Sequence, residues 1–413
     1  MGFPQKRTLT DRLQSLGVKT GARDLAPPKQ RSAYDIDSVV PGMYIHTRRG
    51  DVFIVEQTYT SDYRHGAAPI SCSLPLSLIS EWAKDTRLAQ LPLSRFSFLD
   101  TETSGLAGGT GTYAFMVGIA RFVEDQFVLR QFFMRDPAEE PAMLEAIAQF
   151  LAPSEALVTF NGKAFDAPLL ATRYRLHDIP IPFKDYCHLD LLPLARRLWR
   201  DRLESRALKY LEQHILGLTR SIEEVQGYEV PWLYFDYLKT GDARPLAGVF
   251  YHNAMDVVAM AALLTHVNDV MQNPYDGRVE HGLDFIALGK LFEDLGHGEE
   301  AARLFEHGLE LRDLTEADFG VAVKRLSILQ KRRGDFAEAV RLWEAAAANG
   351  HIYAHIEMAK YYEHKCRDVK TALKWTRSAL DHVQHIDLPT YMRKYWLEEI
   401  THRLERLERK DGI

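Results

Sequence analysis

Hydrophobic and polar positions change their rhythm along the chain, and each change predicts a different element. Met43-Tyr44-Ile45-His46-Thr47 and Val52-Phe53-Ile54-Val55-Glu56 flank Arg48-Arg49-Gly50-Asp51, which predicts a hairpin with glycine in its turn. Leu78 to Leu91 has helical spacing. Phe96 to Asp100 reads as a short buried strand, Tyr113 to Phe122 as a second, and Phe127 to Phe133 as a third that pairs with the second across the turn near Asp125. Pro137 to Leu151 is a helix with Met143, Leu144, Ile147, Phe150 and Leu151 on its apolar face. Ala156 to Phe160 is a further strand, as is Tyr186 to Leu192, which leads into a helix over Pro193 to Asp201. Val249 to Leu264 is a long helix. Three strands in a meander, a helix, another strand and more helices predict a mixed α/β sheet covered on both faces.

Beyond Tyr275 the pattern becomes continuous helix with a recurring unit. Leu295-Gly296 precedes Ala301-Ala302-Arg303-Leu304-Phe305, Arg333-Gly334-Asp335 precedes Ala339-Val340-Arg341-Leu342-Trp343, and Cys366-Arg367-Asp368 precedes Ala372-Leu373-Lys374-Trp375, at spacings of 38 and 33 residues. This resembles tetratricopeptide-type helical hairpins, whose repeat is about 34 residues and whose stacked surface commonly holds a protein partner. A plain helical bundle that braces the rest of the chain is the alternative. The expected organisation is therefore a basic flexible tail over 1–33, a small hairpin-and-helix segment over 34–92, a mixed-sheet domain over 93–274 and an all-α helical-repeat domain over 275–413.

Composition narrows the class. A chain of 413 residues, 46% hydrophobic and 26% charged, has material for two or three cores. No apolar run approaches the ~18–20 residues of a membrane span. Met1 to Arg7 is followed by neither an apolar core nor a small-residue cleavage site, so a secretory signal is not expected. Cys72, Cys187 and Cys366, few and far apart, fit reduced thiols in a cytoplasm. Residues 1–30 hold six Lys/Arg against two Asp, yet the net charge is -6, which argues against a general nucleic-acid coat and leaves room for a local basic groove.

Candidate chemistry lies in three segments. Asp100-Thr101-Glu102 ends the Phe96 strand, where the period of two sets both carboxylates on one side as hard oxygen ligands for a divalent cation. In Asn161-Gly162-Lys163-Ala164-Phe165-Asp166, the aspartate sits where a loop becomes a helix, as an N-cap or as a ligand. In Tyr251-His252-Asn253-Ala254-Met255-Asp256, His252 and Asp256 share a helix face and Tyr251 points off it. Each signal is weak by itself. His188 and Asp190 suggest a second metal pair, against which their place on an apolar strand reads them as strand residues. Tyr59, Tyr63, Arg64, His65 and Gly66 read as a packed loop or as substrate contacts, and the Lys/Arg run from Lys184 to Lys209 as a solvated helix face or as a path for phosphates.

Taken together, Asp100, Glu102, Asp166 and Asp256 resemble the four-carboxylate signature of the DEDD exonucleases of ribonuclease H-like fold. Asp-Thr-Glu-Thr-Ser-Gly-Leu-Ala-Gly-Gly-Thr-Gly-Thr-Tyr, with His188-X-Asp190-Leu191-Leu192 and His252-Asn253-X-X-Asp256, is similar to the YprB-type ribonuclease H-like proteins over roughly Tyr34 to Met271. The resemblance implies 3′–5′ hydrolysis of phosphodiester bonds in single-stranded DNA or RNA, with two divalent cations, Mg²⁺ or Mn²⁺, on the four carboxylates. It also implies a general base, for which His252 is better placed than Tyr251, and Asn161, Thr103, Leu106 and Lys163 as substrate contacts. The chain departs from the pattern: the exonuclease branches carry tyrosine four, or histidine five, residues before the last aspartate, and here these are reversed. The other reading is a non-catalytic scaffold that binds nucleic acid and recruits a partner through its helical repeats.

Overall fold

A computed structural model describes residues 34–73, 75–105, 111–220 and 225–412. The expected basic tail and Leu106 lie outside the described residues. Helix α1 (Ile36–Val39) precedes strands β1 (Met43–Thr47), β2 (Gly50–Thr60), β3 (Arg64–His65) and β4 (Ala68–Pro69). Then come α2 (Ser77–Ala83), β5 (Phe96–Thr103), β6 (Ala114–Val123), β7 (Gln126–Phe133), α3 (Glu140–Leu151), β8 (Ala156–Thr159), α4 (Asp166–Leu176), β9 (Cys187–Asp190), α5 (Leu191–Trp199), α6 (Leu208–His214), α7 (Val230–Thr240) and α8 (Leu246–Gln272). Seven strands form one sheet in the order β1-β2-β7-β6-β5-β8-β9, with β3 and β4 in a separate ribbon. The β5–β8 and β8–β9 pairs are parallel and the other pairs of the sheet antiparallel, so the sheet is mixed as expected.

Side-chain alternation sorts the sheet residues onto two faces. Phe98, Ala120, Val158 and Leu189 enter one core with Leu194, Val257 and Ala261, while their neighbours Leu99, Ile119 and Leu157 enter a second with Met143, Ile147 and Tyr174. Each fully buried large apolar side chain contributes about 1.5–3 kcal/mol. The N-terminal hairpin is part of this sheet, because β2 pairs with β7 from Phe53↔Phe133 to Thr60↔Gln126. The helix expected to reach Leu91 stops at Ala83, where Lys84 turns left-handed (φ 56°) and the Asp85 side chain caps a separate short turn.

Helix α8 corrects one expectation. By length and composition it is apolar enough to cross a membrane, although 67% of the relevant window is buried within the fold. Interspersed polar residues hid this in the sequence. Its close approach to the sheet depends on Gly118, which pairs with Asp100; a Cβ there would lie 2.2 Å from Asn253 Oδ1.

The remaining helices are α9 (Gly282–Asp294), α10 (Gly298–Glu310), α11 (Glu316–Arg333), α12 (Phe336–Ala348), α13 (Ile352–Tyr361), α14 (Val369–His385) and α15 (Thr390–Asp411), each packed on the next. The three recurrent segments fall on α10, α12 and α14, where Ala301, Leu304 and Phe305, then Ala339, Leu342 and Trp343, then Ala372 and Leu373 are buried. The basic run after Lys184 braces this region. Arg202 Nε donates to Asp284 (2.7 Å), Arg197 donates to the Lys290 carbonyl (2.7 Å) and Lys290 Nζ donates to Asp201 (3.0 Å).

Gly118→Ala should push Asn253 away from β5 and destabilise the fold by about 1–3 kcal/mol, as overpacking does. Denaturant unfolding measures this; an unchanged midpoint would mean that α8 does not depend on the glycine.

Candidate active site

Strand β5 carries Asp100 and Glu102 on the face covered by α8, and it does so at the end of the sheet where the chain leaves for the β5–β6 turn. Asn253 of α8, wholly buried, donates from Nδ2 to Asp100 Oδ2 at 2.9 Å. Gln131 of β7, also buried, donates from Nε2 to Asn253 Oδ1 (3.1 Å) and to the Phe250 carbonyl (2.7 Å). The amide of Asn253 is thereby oriented before it meets the carboxylate.

Asp166 enters from a different direction. It is the first residue of α4, follows the tight loop in which Asn161 adopts φ 68°, and accepts a hydrogen bond from the Thr101 hydroxyl. An N-cap role is therefore not what its side chain performs. The loop before it is tied down by Asp190, whose carboxylate accepts the backbone N–H groups of Asn161 (2.8 Å) and Lys163 (3.1 Å) while capping α5 through Leu192 (3.1 Å). His188 shares a hydrogen bond with the Thr159 hydroxyl (2.9 Å), and burial followed by the Lys163 charge pushes its imidazole down to about 4. Asp190 thus holds the loop, while His188 ties its strand to Thr159 of β8.

The third segment comes together as its helical spacing predicts. His252 Nε2 lies 3.6 Å from Asp256 Oδ2 and 4.0 Å from Glu102 Oε1. Tyr251 points elsewhere, to Tyr59, whose phenol is pushed up to about 12 by burial and then by the Tyr63 and Tyr251 phenols. Asp256 Oδ1 accepts a 2.5 Å hydrogen bond from Arg220, a contact that sequence reasoning missed because Arg220 is 36 residues away in a segment with no motif.

Crowding of like charges marks the site electrostatically. Burial, then the Asp256, Glu102 and Asp166 charges, holds Asp100 well above the usual carboxylate range. Burial, then Asp256 and Asp166, pushes Glu102 up to about 8. Burial raises Asp166 to about 6, against the stabilising Thr101 hydrogen bond. A buried set of hard oxygen donors with this much mutual repulsion fits divalent cations. Among the described residues, no three His, Cys, Asp or Glu side chains converge into a preformed shell. Thr101, Asn253 and Arg220 hold the carboxylates in their present orientations.

The expected substrate contacts are less assembled than the carboxylates. Asn161 and Lys163 are exposed, with their backbone groups committed to Asp190, and the Thr103 hydroxyl donates to the Gly105 carbonyl (3.0 Å). Helix α7 caps the same end of the sheet: Tyr234 stacks on Phe115 (centroids 4.0 Å) and meets Tyr113 edge-on. Trp232 on this helix is 71% exposed, and Tyr228, just before the helix begins, is 67% exposed.

Residues 97–268 match the family described as the RNase_H superfamily, which spans β5 through most of α8 and contains all four carboxylates. The fold and site thus define a ribonuclease H-like protein, a class that points to nuclease-type hydrolysis and nucleic-acid substrates. A Bacillus subtilis protein named "Uncharacterized protein YprB" is 32% identical over 375 residues, covering 86% of each chain, and the present chain belongs to its family.

Glu102 yields a pH prediction. Its carboxyl rises from 4.5 to about 8 on folding, so the folded protein keeps a proton that the unfolded chain releases across that range. The resulting stabilisation is complete below 4.5 and disappears as the pH passes through 8. With a chelator present, the melting temperature should fall between about pH 5 and pH 8.5. Glu102→Gln should flatten that fall and melt roughly 2–4 °C higher than wild type at the alkaline end. Parallel curves for the two proteins would contradict the assignment.

Proposed function

We infer that this protein is a metal-dependent nuclease, a 3′–5′ exonuclease that hydrolyses phosphodiester bonds of single-stranded nucleic acid. The observation that carries this reading is that Asp100, Glu102, Asp166 and Asp256, from one strand and two helices, lie close enough in a partly buried cluster for their charges to raise the carboxyls of Asp100 and Glu102. These four carboxylates are the residues that would hold two divalent cations, Mg²⁺ or Mn²⁺. Cations bound there would supply positive charge to ionise a water and to steady the attacking and leaving oxygens.

The chain's own groups do the rest. Asn253, set by Gln131, fixes the orientation of Asp100. His252 Nε2 accepts the proton of the attacking water, and Asp256, 3.6 Å away, offsets the charge that the ring acquires. Lys163, exposed on the loop before Asp166, meets a phosphate oxygen, and Asn161 and Thr103 line the strand's path. Trp232 and Tyr228 offer exposed aromatic faces on which unpaired bases stack, which favours a single strand. Helices α9 to α15 act as tetratricopeptide-like hairpins with a protein partner, in a reducing cytoplasm.

One observation favours a second reading, a non-catalytic nucleic-acid-binding scaffold: Asp256 is already paired with Arg220. Labelled single-stranded DNA and RNA oligomers incubated with Mg²⁺ or Mn²⁺ separate the two. The nuclease should shorten them progressively, and Asp100→Ala should reduce the rate at least about 10²-fold, the scale of a lost charge-stabilising group. A wild-type protein that binds the oligomers and releases no product is the scaffold. Trp232→Ala should weaken oligomer affinity by about 5- to 150-fold, the equivalent of one lost base stack. Equal affinities by fluorescence anisotropy would remove α7 from the substrate path.

A further inference from the structure

Arg220 stands apart from the other groups that touch the carboxylate cluster. Thr101 and Asn253 are neutral donors, each to one carboxylate, and a cation can share such a carboxylate with them. Arg220 brings a full positive charge to Asp256, the place at which a bound cation would bring its own.

Its second partner gives this contact a particular asymmetry. Arg220 Nε donates to Glu212 Oε2 at 2.5 Å, and Glu212 Oε1 lies 2.5 Å from Nε2 of His65 on the β3–β4 ribbon. The Arg220 side chain is 1% exposed, Glu212 0% and His65 1%, whereas Asp256 keeps 18%. A buried guanidinium stripped of every partner costs several kcal/mol, so Arg220 is stable only while at least one carboxylate stays with it. Glu212 meets that need whatever Asp256 does. The Glu212 contact is thus a fixed tether and the Asp256 contact can be given up.

We propose that Arg220 is a built-in counter-cation, which holds Asp256 in the ion-free protein and competes with a divalent cation for that carboxylate. Loading the cluster then consists of an exchange at Asp256: the ion takes the carboxylate and Arg220 stays on Glu212. This inference rests on the reading that the cluster takes divalent cations, and it assigns Arg220 a positioning role through Asp256.

The test is titration of the full-length protein with Mn²⁺ alone, followed calorimetrically, for wild type, Arg220→Gln and the double variant Glu212→Gln/Arg220→Gln. The double variant removes both charges of the buried pair, so it remains informative if Glu212 without the Arg220 charge prevents folding of the single one. Thermal melts establish that each protein is folded. Folded variants should bind Mn²⁺ roughly tenfold more tightly than wild type, within the usual range of coupling between two sites. A merely structural role for Arg220 would loosen the cluster and weaken binding. Unchanged or weaker Mn²⁺ affinity in the folded variants overturns the exchange and leaves the cation reading intact. Absence of binding in wild type and variants alike overturns both.

Discussion

Mutual repulsion among buried carboxylates is the constraint on which this molecule is built. Asp100, Glu102 and Asp166 are all held above their ordinary range, so the ion-free site opposes the fold that contains it. Packing elsewhere must supply the difference. Asp100 and Glu102 therefore sit on a strand whose preceding residues, Phe96 to Leu99, are all buried, and they face a helix buried along most of its length. The partners of the carboxylates are themselves held: Asn253 by Gln131, and Arg220 by Glu212, which lies against His65. Asp100 and Asp256 are each set by a donor that a further element holds in place.

Site and topology explain one another. Mixed pairing lets β5 be central, antiparallel to β6 on one side and parallel to β8 on the other, so α4 starts beside the end of β5 and delivers Asp166 against Thr101. Asp190 at the end of β9 steadies the same loop from behind. The glycine at 118 then permits α8 to lie close enough for Asn253, His252 and Asp256 to come from a single helix face.

Much of this was legible in the chain because its signals were local. Period-two apolar runs marked β5 to β7, and the spacings Asp100-X-Glu102 and His252-X-X-X-Asp256 put each pair on a common face without any tertiary information. The groups that were not legible act across distance. Gln131 to Asn253 spans 122 residues and His65 to Glu212 spans 147, and no local spacing in the sequence links either residue to its partner. Local backbone choices were equally hidden. The left-handed turn at Lys84 depends on no glycine that could have signalled it, and the hairpin at Gly50 looked separate because the partner of β2 lies more than seventy residues onward.

The helical region is bound to this site more closely than its change of pattern implies. Phe98, Val158 and Leu189 of the sheet share one continuous apolar core with Phe285, Phe305 and Trp343 of the later helices. Polar contacts cross the same boundary, from Arg197 and Arg202 to Lys290 and Asp284. Helix α5, which carries Arg197, is capped by Asp190, and Asp190 also holds the loop that sets Asp166. A displacement of α9 thus has a short physical route to one of the four carboxylates: through α5 to its cap, and from the cap to the start of α4. Coupling along that route needs Asp190 to keep both sets of hydrogen bonds, since a cap that released Asn161 and Lys163 would leave α5 intact and Asp166 unguided.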